Sequence, residues 1–233
     1  MASESELHHQ LLEAVEKYHM PEAALELLQK NSPLIISGIT ASGKNSILDY
    51  IQRSSDWRHV ITHTTRRPRE GEKNGENYWF VDEPGMMGLL NSQAMVEANA
   101  VHGDTIYGTS IEAYQKVLTG GHKPLLIIDV QGVEQIITQV HGLRPIFLLP
   151  PNSQAWMDRL NKRGLMSHVE RLNRLRSAQE ELETALQSKH FTLIVNDEIN
   201  VAAHQILSGV VSPAVQEFNR DLSKRLIEHS RAY

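Results

Sequence analysis

The residues Gly38-Ile39-Thr40-Ala41-Ser42-Gly43-Lys44-Asn45-Ser46 carry the clearest chemistry in the chain. Glycines at both ends let backbone N–H groups curl around a polyphosphate, and the lysine that follows brings a full positive charge to the outer phosphates. An apolar run, Leu34–Ile36, precedes the glycines, and a helix expected over 44–53 follows. Strand, loop and helix in that order are the context a phosphate-binding loop requires, because the helix N-terminus adds its own partial positive charge. An ordinary glycine-rich turn accounts for the glycines but not for the lysine and hydroxyl that accompany them. The hydroxyl is displaced by one position: Asn45 follows the lysine directly, and Ser46 comes next.

A phosphate loop indicates a nucleotide and leaves the reaction open. The second cluster lies in 62–78, where Arg66 and Arg69 flank Pro68. Two guanidinium forks on a turn stiffened by proline suit a phosphomonoester, and Tyr78 can add a phenolic hydrogen bond. Glu97 and Asp129 are placed at the ends of expected strands. A buried carboxylate is costly unless hydrogen-bonded, and a purine that presents N–H donors, such as guanine, satisfies it. A third cluster, 158–176, holds Arg159, Lys162, Arg163, Arg171, Arg174 and Arg176 against Asp158 and Glu170. Alone, this run reads equally as a solvated helix face; beside a phosphate loop, an anion-closing role is the better reading.

These residues need a scaffold. Short apolar runs at 34–36, 59–62, 78–81, 125–130, 145–149 and 191–195 alternate with helical stretches at 44–53, 110–118, 133–140, 153–163, 168–189 and 199–208. Such alternation indicates an α/β fold with a largely parallel sheet. The segment 60–108 is richer in turns and reads as an inserted lobe. Leu7, Leu11, Leu12 and Val15, then Ala24, Leu25 and Leu28, recur at helical spacing, with Pro21 suited to the first turn of the second helix. Ser212-Pro213 is an N-cap and first-turn pair that opens a final helix.

Composition narrows the classes. The chain has 233 residues, 40% hydrophobic and 22% charged, enough for a globular core. No cysteine is present, which excludes disulfides, thiolate zinc sites and a cysteine nucleophile. The net charge of −5 argues against a nucleic-acid binder. No apolar run is long enough to span a bilayer, and residues 1–30 carry neither a signal-like apolar run nor transit-peptide arginines. We therefore expect no nucleic-acid or membrane partner and a cytoplasmic location. The twelve histidines are scattered and lack the short regular spacing of zinc ligands. Residues 1–30 contain six acids and two bases, leaving the rest nearly neutral, with its positive charge gathered at 66–69 and 159–176.

Taken together, the loop, the run Thr64-Thr65-Arg66-Arg67-Pro68-Arg69-Glu70-Gly71-Glu72-Lys73-Asn74-Gly75-Glu76-Asn77-Tyr78, Glu97, Tyr107-Gly108-Thr109, Asp129-Val130-Gln131-Gly132, Arg163-Gly164 and Val195-Asn196-Asp197 resemble the guanylate kinases. The resemblance covers about residues 33–208. It implies a P-loop kinase three-layer fold with a central parallel sheet, an inserted α/β GMP-binding lobe and a helical lid. It divides the chain into an N-terminal helical extension (1–30), a kinase domain (31–209, with the lobe at about 60–108 and the lid at about 159–176) and a C-terminal helix (210–233). It implies ATP and GMP as substrates, with Mg²⁺ accompanying ATP near Ser46. By this likeness Gly38, Thr40, Ala41, Ser42, Gly43, Lys44, Asn45, Ser46, Arg159 and Arg163 hold ATP. Thr62, Arg66, Arg69, Glu72, Tyr78, Glu97, Tyr107, Thr109 and Asp129 hold GMP, and Lys44, Arg66, Arg163 and Arg174 act in the transfer.

The chain departs from the family pattern in places. Ile39 stands where proline is frequent, His63 where a small residue is usual, and Ile127 where a second aspartate usually precedes Asp129. The segment Leu165–Val169 lacks the customary acids, and one extra residue falls in 102–105. Two other readings stay open: a guanylate-kinase-like module that only binds a phosphorylated partner, and a related kinase of a phosphorylated sugar. Intact Gly38, Gly43 and Lys44 weigh against the first, and Glu97, Thr109 and Asp129 against the second. Oligomeric state and the role of the terminal helices are not legible.

Overall fold

The computed structural model describes residues 4–101, 105–162 and 167–232. Contacts divide the chain into two compact units. The first comprises residues 1–34, 57–126 and 131–143, and the second 35–56, 127–130 and 144–233.

The second unit holds the phosphate loop. Its strands β1 (Leu34–Gly38), β8 (Ile146–Leu149) and β9 (Thr192–Val195) pair in parallel, Ile36 opposite Ile146 and Phe147 opposite Leu193. Buried Ile35, Ile36, Phe147, Leu148, Leu193 and Ile194 make near-continuous apolar strands, as expected of parallel strands covered on both faces. The covering helices are α3 (Lys44–Ser54), α7 (Ser153–Asn161), α8 (His168–Gln187), α9 (Ile199–Ser208) and α10 (Pro213–Arg231). Polar caps set where several begin: Asn152, Ser167 and Ser212 accept from the backbone N–H groups of Ala155, Glu170 and Val215. Helix α10 packs on α8 and β9. Its Gln216 side chain donates to the Leu193 carbonyl (2.8 Å) and accepts from the Leu193 amide (3.0 Å), while Asn219 donates to the same carbonyl (2.8 Å). These amides occupy the backbone groups that an outer strand leaves open.

The first unit contains the parallel pair β2 (Trp57–His59) and β7 (Lys123–Ile127), and a mixed sheet in the order β4-β3-β6-β5. Its strands are β3 (His63–Thr64), β4 (Trp79–Phe80), β5 (Met95–Val101) and β6 (Thr105–Ser110). Helices α1 (Glu4–Glu16), α2 (Glu22–Lys30), α4 (Glu83–Asn91), α5 (Ile111–Thr119) and α6 (Val130–Ile137) complete the set. Leu11, Val15 and Tyr18 pack with Met86, Leu90, Met95, Ala98 and Ile106, so α1 closes the core of this lobe. Each fully buried aliphatic side chain here is worth roughly 1.5–3 kcal/mol.

The structure differs from the sequence reading in a few boundaries. Pro21 is the N-cap of α2, with Glu22 its first residue. Strand β2 lies at 57–59 rather than 59–62. The apolar run 125–130 is cut at Ile127, because the chain turns there into α6, which begins at Val130. Glu97 sits inside β5 rather than at a strand end, and Asp129 lies past the end of β7, in the turn before α6. No helix among the described residues is long and apolar enough to cross a membrane.

Candidate active site

The phosphate loop is shaped by backbone geometry. Gly38 and Gly43 have φ of 144° and 98°, a region closed to most side chains. A Cβ on Gly38 would lie 2.4 Å from the Leu148 carbonyl oxygen, and one on Gly43 2.2 Å from Asn196 Nδ2. Helix α3 starts at Lys44 directly after Gly43, so its first free N–H groups border the loop. The Lys44 ammonium donates across the loop to the carbonyls of Gly38 and Ile39.

Side chains from distant parts of the second unit fasten this loop. Trp156 Nε1 donates to the Thr40 carbonyl (2.9 Å). Asn196 Nδ2 (2.9 Å) and Arg159 Nη1 (3.3 Å) donate to the Ser42 carbonyl, and Arg159 Nη2 donates to the Asn196 carbonyl (2.9 Å). Ala41, Gly43, Asn45, Ser46, Arg159, Asn196, Asp197 and Ile199 line a cavity of about 320 Å³. Sequence reasoning assigned Arg159 to phosphate and gave Asn196 no role. The buried Asn196 Oδ1 has no hydrogen-bond partner among the described residues.

Beside the loop is a group the sequence did not single out. Glu181 on α8 is pushed up to about 7, first by burial, against the pull of Lys44 and with the repulsion of Asp129 and Glu180. Lys44, Asp129 and Glu181 thus share one electrostatic neighbourhood within the second unit. Arg174 pairs with Glu170 on its own helix (2.7 Å), and Arg171 reaches the Met157 sulfur (3.9 Å). Arg163 lies outside the described residues.

The first unit gathers the other cluster. Arg66 Nη2 meets Glu72 Oε1 at 2.9 Å, and its Nε donates to the Tyr107 hydroxyl at 3.2 Å. Its guanidinium stands 5.4 Å from the Tyr78 ring centre and 5.6 Å from that of Phe80. Burial disfavours the Arg66 charge, but the bonds to Glu72 and Tyr107 outweigh it and raise its pKa. Glu72 likewise loses solvent, yet Arg66 and the Arg69 amide (2.7 Å) hold its carboxyl below the usual range. Burial raises the Tyr78 phenol, and its ring meets that of Tyr107 edge-on at 5.7 Å. Arg69 is exposed at the rim. The turn is held by its own polar residues: Asn77 Oδ1 accepts from the Lys73 amide and Asn74 Oδ1 from the Phe80 amide.

In the same sheet Glu97 is 3% exposed and hydrogen-bonded through both oxygens. Thr109 Oγ1 donates to its Oε1 (2.7 Å), and Asn99 Nδ2 to its Oε2 (3.0 Å). Asn99 in turn lies 3.4 Å from Gln135 Oε1, which is tied to both backbone groups of Ala98. Thr62 is buried at the edge of β3 and its carbonyl accepts from the Trp79 amide (2.8 Å). Asn99 and Gln135 were not singled out as site residues: Asn99 shares a face with Glu97 two residues along β5, a signal that needs the strand to be recognised, and Gln135 is brought there only by the packing of α6.

Comparison with known proteins identifies the family. The guanylate kinase family model matches residues 30–212. The chain belongs to the guanylate kinase family. It is 33% identical over 199 residues to a guanylate kinase of Caldanaerobacter subterraneus subsp. tengcongensis, covering 84% of this chain and 95% of that protein. It is 36% identical over 171 residues to the Escherichia coli K12 guanylate kinase, covering 72% and 81%. Among solved structures, the guanylate kinase of Anaplasma phagocytophilum superposes with a TM-score of 0.55 at 23% identity, over 79% of this chain and 90% of that one, which shows the shared fold. Helix α1 and all of α2 but its last residue, Lys30, fall outside the family match.

Proposed function

We propose that this guanylate kinase family member transfers the γ-phosphoryl group of ATP to GMP through the two clusters described. Lys44, the loop amides of 40–46 and Arg159 take the ATP phosphates; Arg66, Arg69, Tyr78 and Tyr107 take the GMP phosphate. Glu97, Thr109 and Asp129, with Thr62, read the guanine. The reading rests above all on Glu97: a buried carboxylate, oriented by Thr109 and Asn99, suits the N–H donors that guanine presents on one edge. The free acceptor of Asn196 beside the loop cavity suits the amino group of adenine.

In the transfer, an oxygen of the GMP phosphate attacks the γ-phosphorus, the bond to the β-bridging oxygen breaks, and ADP leaves. Little covalent chemistry falls to the protein, so positioning and charge carry the rate. Lys44 sets a positive charge where negative charge spreads over the transferring group. Arg66 gives up none of its own charge at neutral pH and needs only to exchange Glu72 for phosphate. Arg163 and Arg174 are proposed to add charge from the lid; Arg174 must leave Glu170 to do so.

The donors near the loop fit Mg²⁺ that arrives with ATP. Among the described residues no three His, Asp or Glu side chains converge as a metal cage, and the exposed Ser46 hydroxyl supplies one hard oxygen. Mg²⁺ commonly keeps water and phosphate oxygens as most of its ligands and takes only one or two from protein. Bound there, it offsets phosphate charge. A coupled ADP-release assay with GMP, AMP, UMP and ribose phosphates tests the function. Turnover with GMP alone is expected; its absence at saturating Mg-ATP returns the chain to the phosphate-binding module.

A further inference from the structure

The N-terminal helices lie at the margin of the family match, yet their anchor reaches to within two residues of Glu97. Tyr18, just beyond α1, is 8% exposed. Its hydroxyl donates to the Met95 carbonyl (2.9 Å) and accepts from the Met95 amide (3.1 Å). One hydroxyl thus takes up both backbone groups of the first residue of β5, the outer strand of its sheet.

Met95 is also where the strand register breaks. Met95 faces Ser110 while Glu97 faces Thr109, so Val96 is an extra residue, a β-bulge. In an unbroken strand, Met95 and Glu97 would project to the same face, since side chains alternate with a period of two. The bulge separates them. Met95 joins the apolar cluster with Ala98, Ile106, Leu11 and Val15, and Glu97 turns to the polar face with Asn99 and Thr109. Tyr18 fastens the strand directly beside this bulge, by taking up the Met95 backbone groups that an outer strand leaves without ladder partners.

We infer that Tyr18 is a positioning residue for acceptor recognition: by capping both backbone groups of Met95 it holds the bulge that aims Glu97 at the guanine. The N-terminal segment is then part of the acceptor site. This inference rests on the GMP reading of Glu97 and deepens it. It concerns binding alone, so donor affinity stays outside its reach.

The test is Tyr18→Phe in the full chain, which keeps the ring and removes only the hydroxyl. Two hydrogen bonds lost to one backbone residue predict about a tenfold weaker GMP affinity by calorimetry, with the KM for ATP and kcat at saturating GMP within about twofold. Amide exchange at 95–98 is expected to quicken. Leu11→Ala serves as the comparison: it loosens the packing of α1, lowering Tm, and leaves the ratio of GMP to ATP affinity nearer to that of the parent. Unchanged GMP affinity in Tyr18→Phe, or equal weakening of GMP and ATP, overturns the inference. A parent chain that binds ATP but not GMP removes the acceptor reading itself. Exchange at 95–98 then decides alone whether Tyr18 holds the bulge, and unchanged exchange overturns that too.

Discussion

The phosphate loop and the acceptor cluster reach anion binding by opposite routes. The loop is nine consecutive residues whose amides, glycine geometry and helix terminus form the site, with Trp156, Arg159 and Asn196 bracing its carbonyls from outside. The acceptor cluster is made of side chains from β3, β5, β6 and the turn at 66–78, and its more buried charged groups already have partners: Arg66 has Glu72, and Glu97 has Thr109 and Asn99. A site of backbone amides offers charge with little rearrangement. A site of mutually satisfied side chains must exchange partners when substrate enters, and gains selectivity because a ligand that cannot replace those partners leaves buried groups unpaired.

The sharpest way to break this contrast is Lys44→Ala. It removes the one full charge of the loop, and kcat is expected to fall by about 10²–10³-fold in the ADP-release assay. An unchanged kcat would show that backbone amides alone suffice. Next in size is Glu97→Gln. It replaces two acceptor oxygens by one acceptor and one donor, so the KM for GMP is expected to rise by about 10–100-fold while the KM for ATP holds. Equal loss for both substrates would make Glu97 a structural residue. Asn196→Ala is a smaller test of the bracing: losing its bond to the Ser42 carbonyl is expected to cost about fivefold in kcat/KM for ATP, with GMP affinity unaffected.

The smallest effect concerns pH. Burial raises Glu181 from an ordinary 4.5 to about 7, so the folded chain keeps a proton that the unfolded chain has released. Its contribution to stability is fully present below about pH 4.5 and is lost as pH rises through 7. Chemical denaturation from pH 5 to 8 is expected to show a decline that Glu181→Gln flattens. Parallel slopes in the two proteins would place the proton elsewhere.

What could be read in advance follows from how each site is built. Gly38, Gly43 and Lys44 are adjacent, and their roles are set by local backbone rules. Arg66, Arg69 and Tyr78 lie in one turn whose asparagines and glycines specify its shape. Asn99 was missed because no strand was expected to run through 95–101, although alternation along one sets it on the face of Glu97; Gln135 was missed because only packing brings it there, and Glu181 because its carboxyl is unremarkable until α8 buries it beside Lys44. The strand expected at 125–130 ran three residues too far: apolar residues continue into α6, and hydrophobicity alone does not mark the turn at Asp129.

The sequence by itself determined the alternation of strands and helices, the phosphate loop and the acceptor turn, since each depends on residues within a few positions of one another. Only the tertiary structure decided that Tyr18 caps Met95 and that the bulge at Val96 turns Glu97 toward Thr109 and Asn99. Tyr18 and Met95 are separated by 77 positions. A register shift of a single residue leaves the pattern of hydrophobicity almost unchanged, yet it reverses the face on which a carboxylate appears.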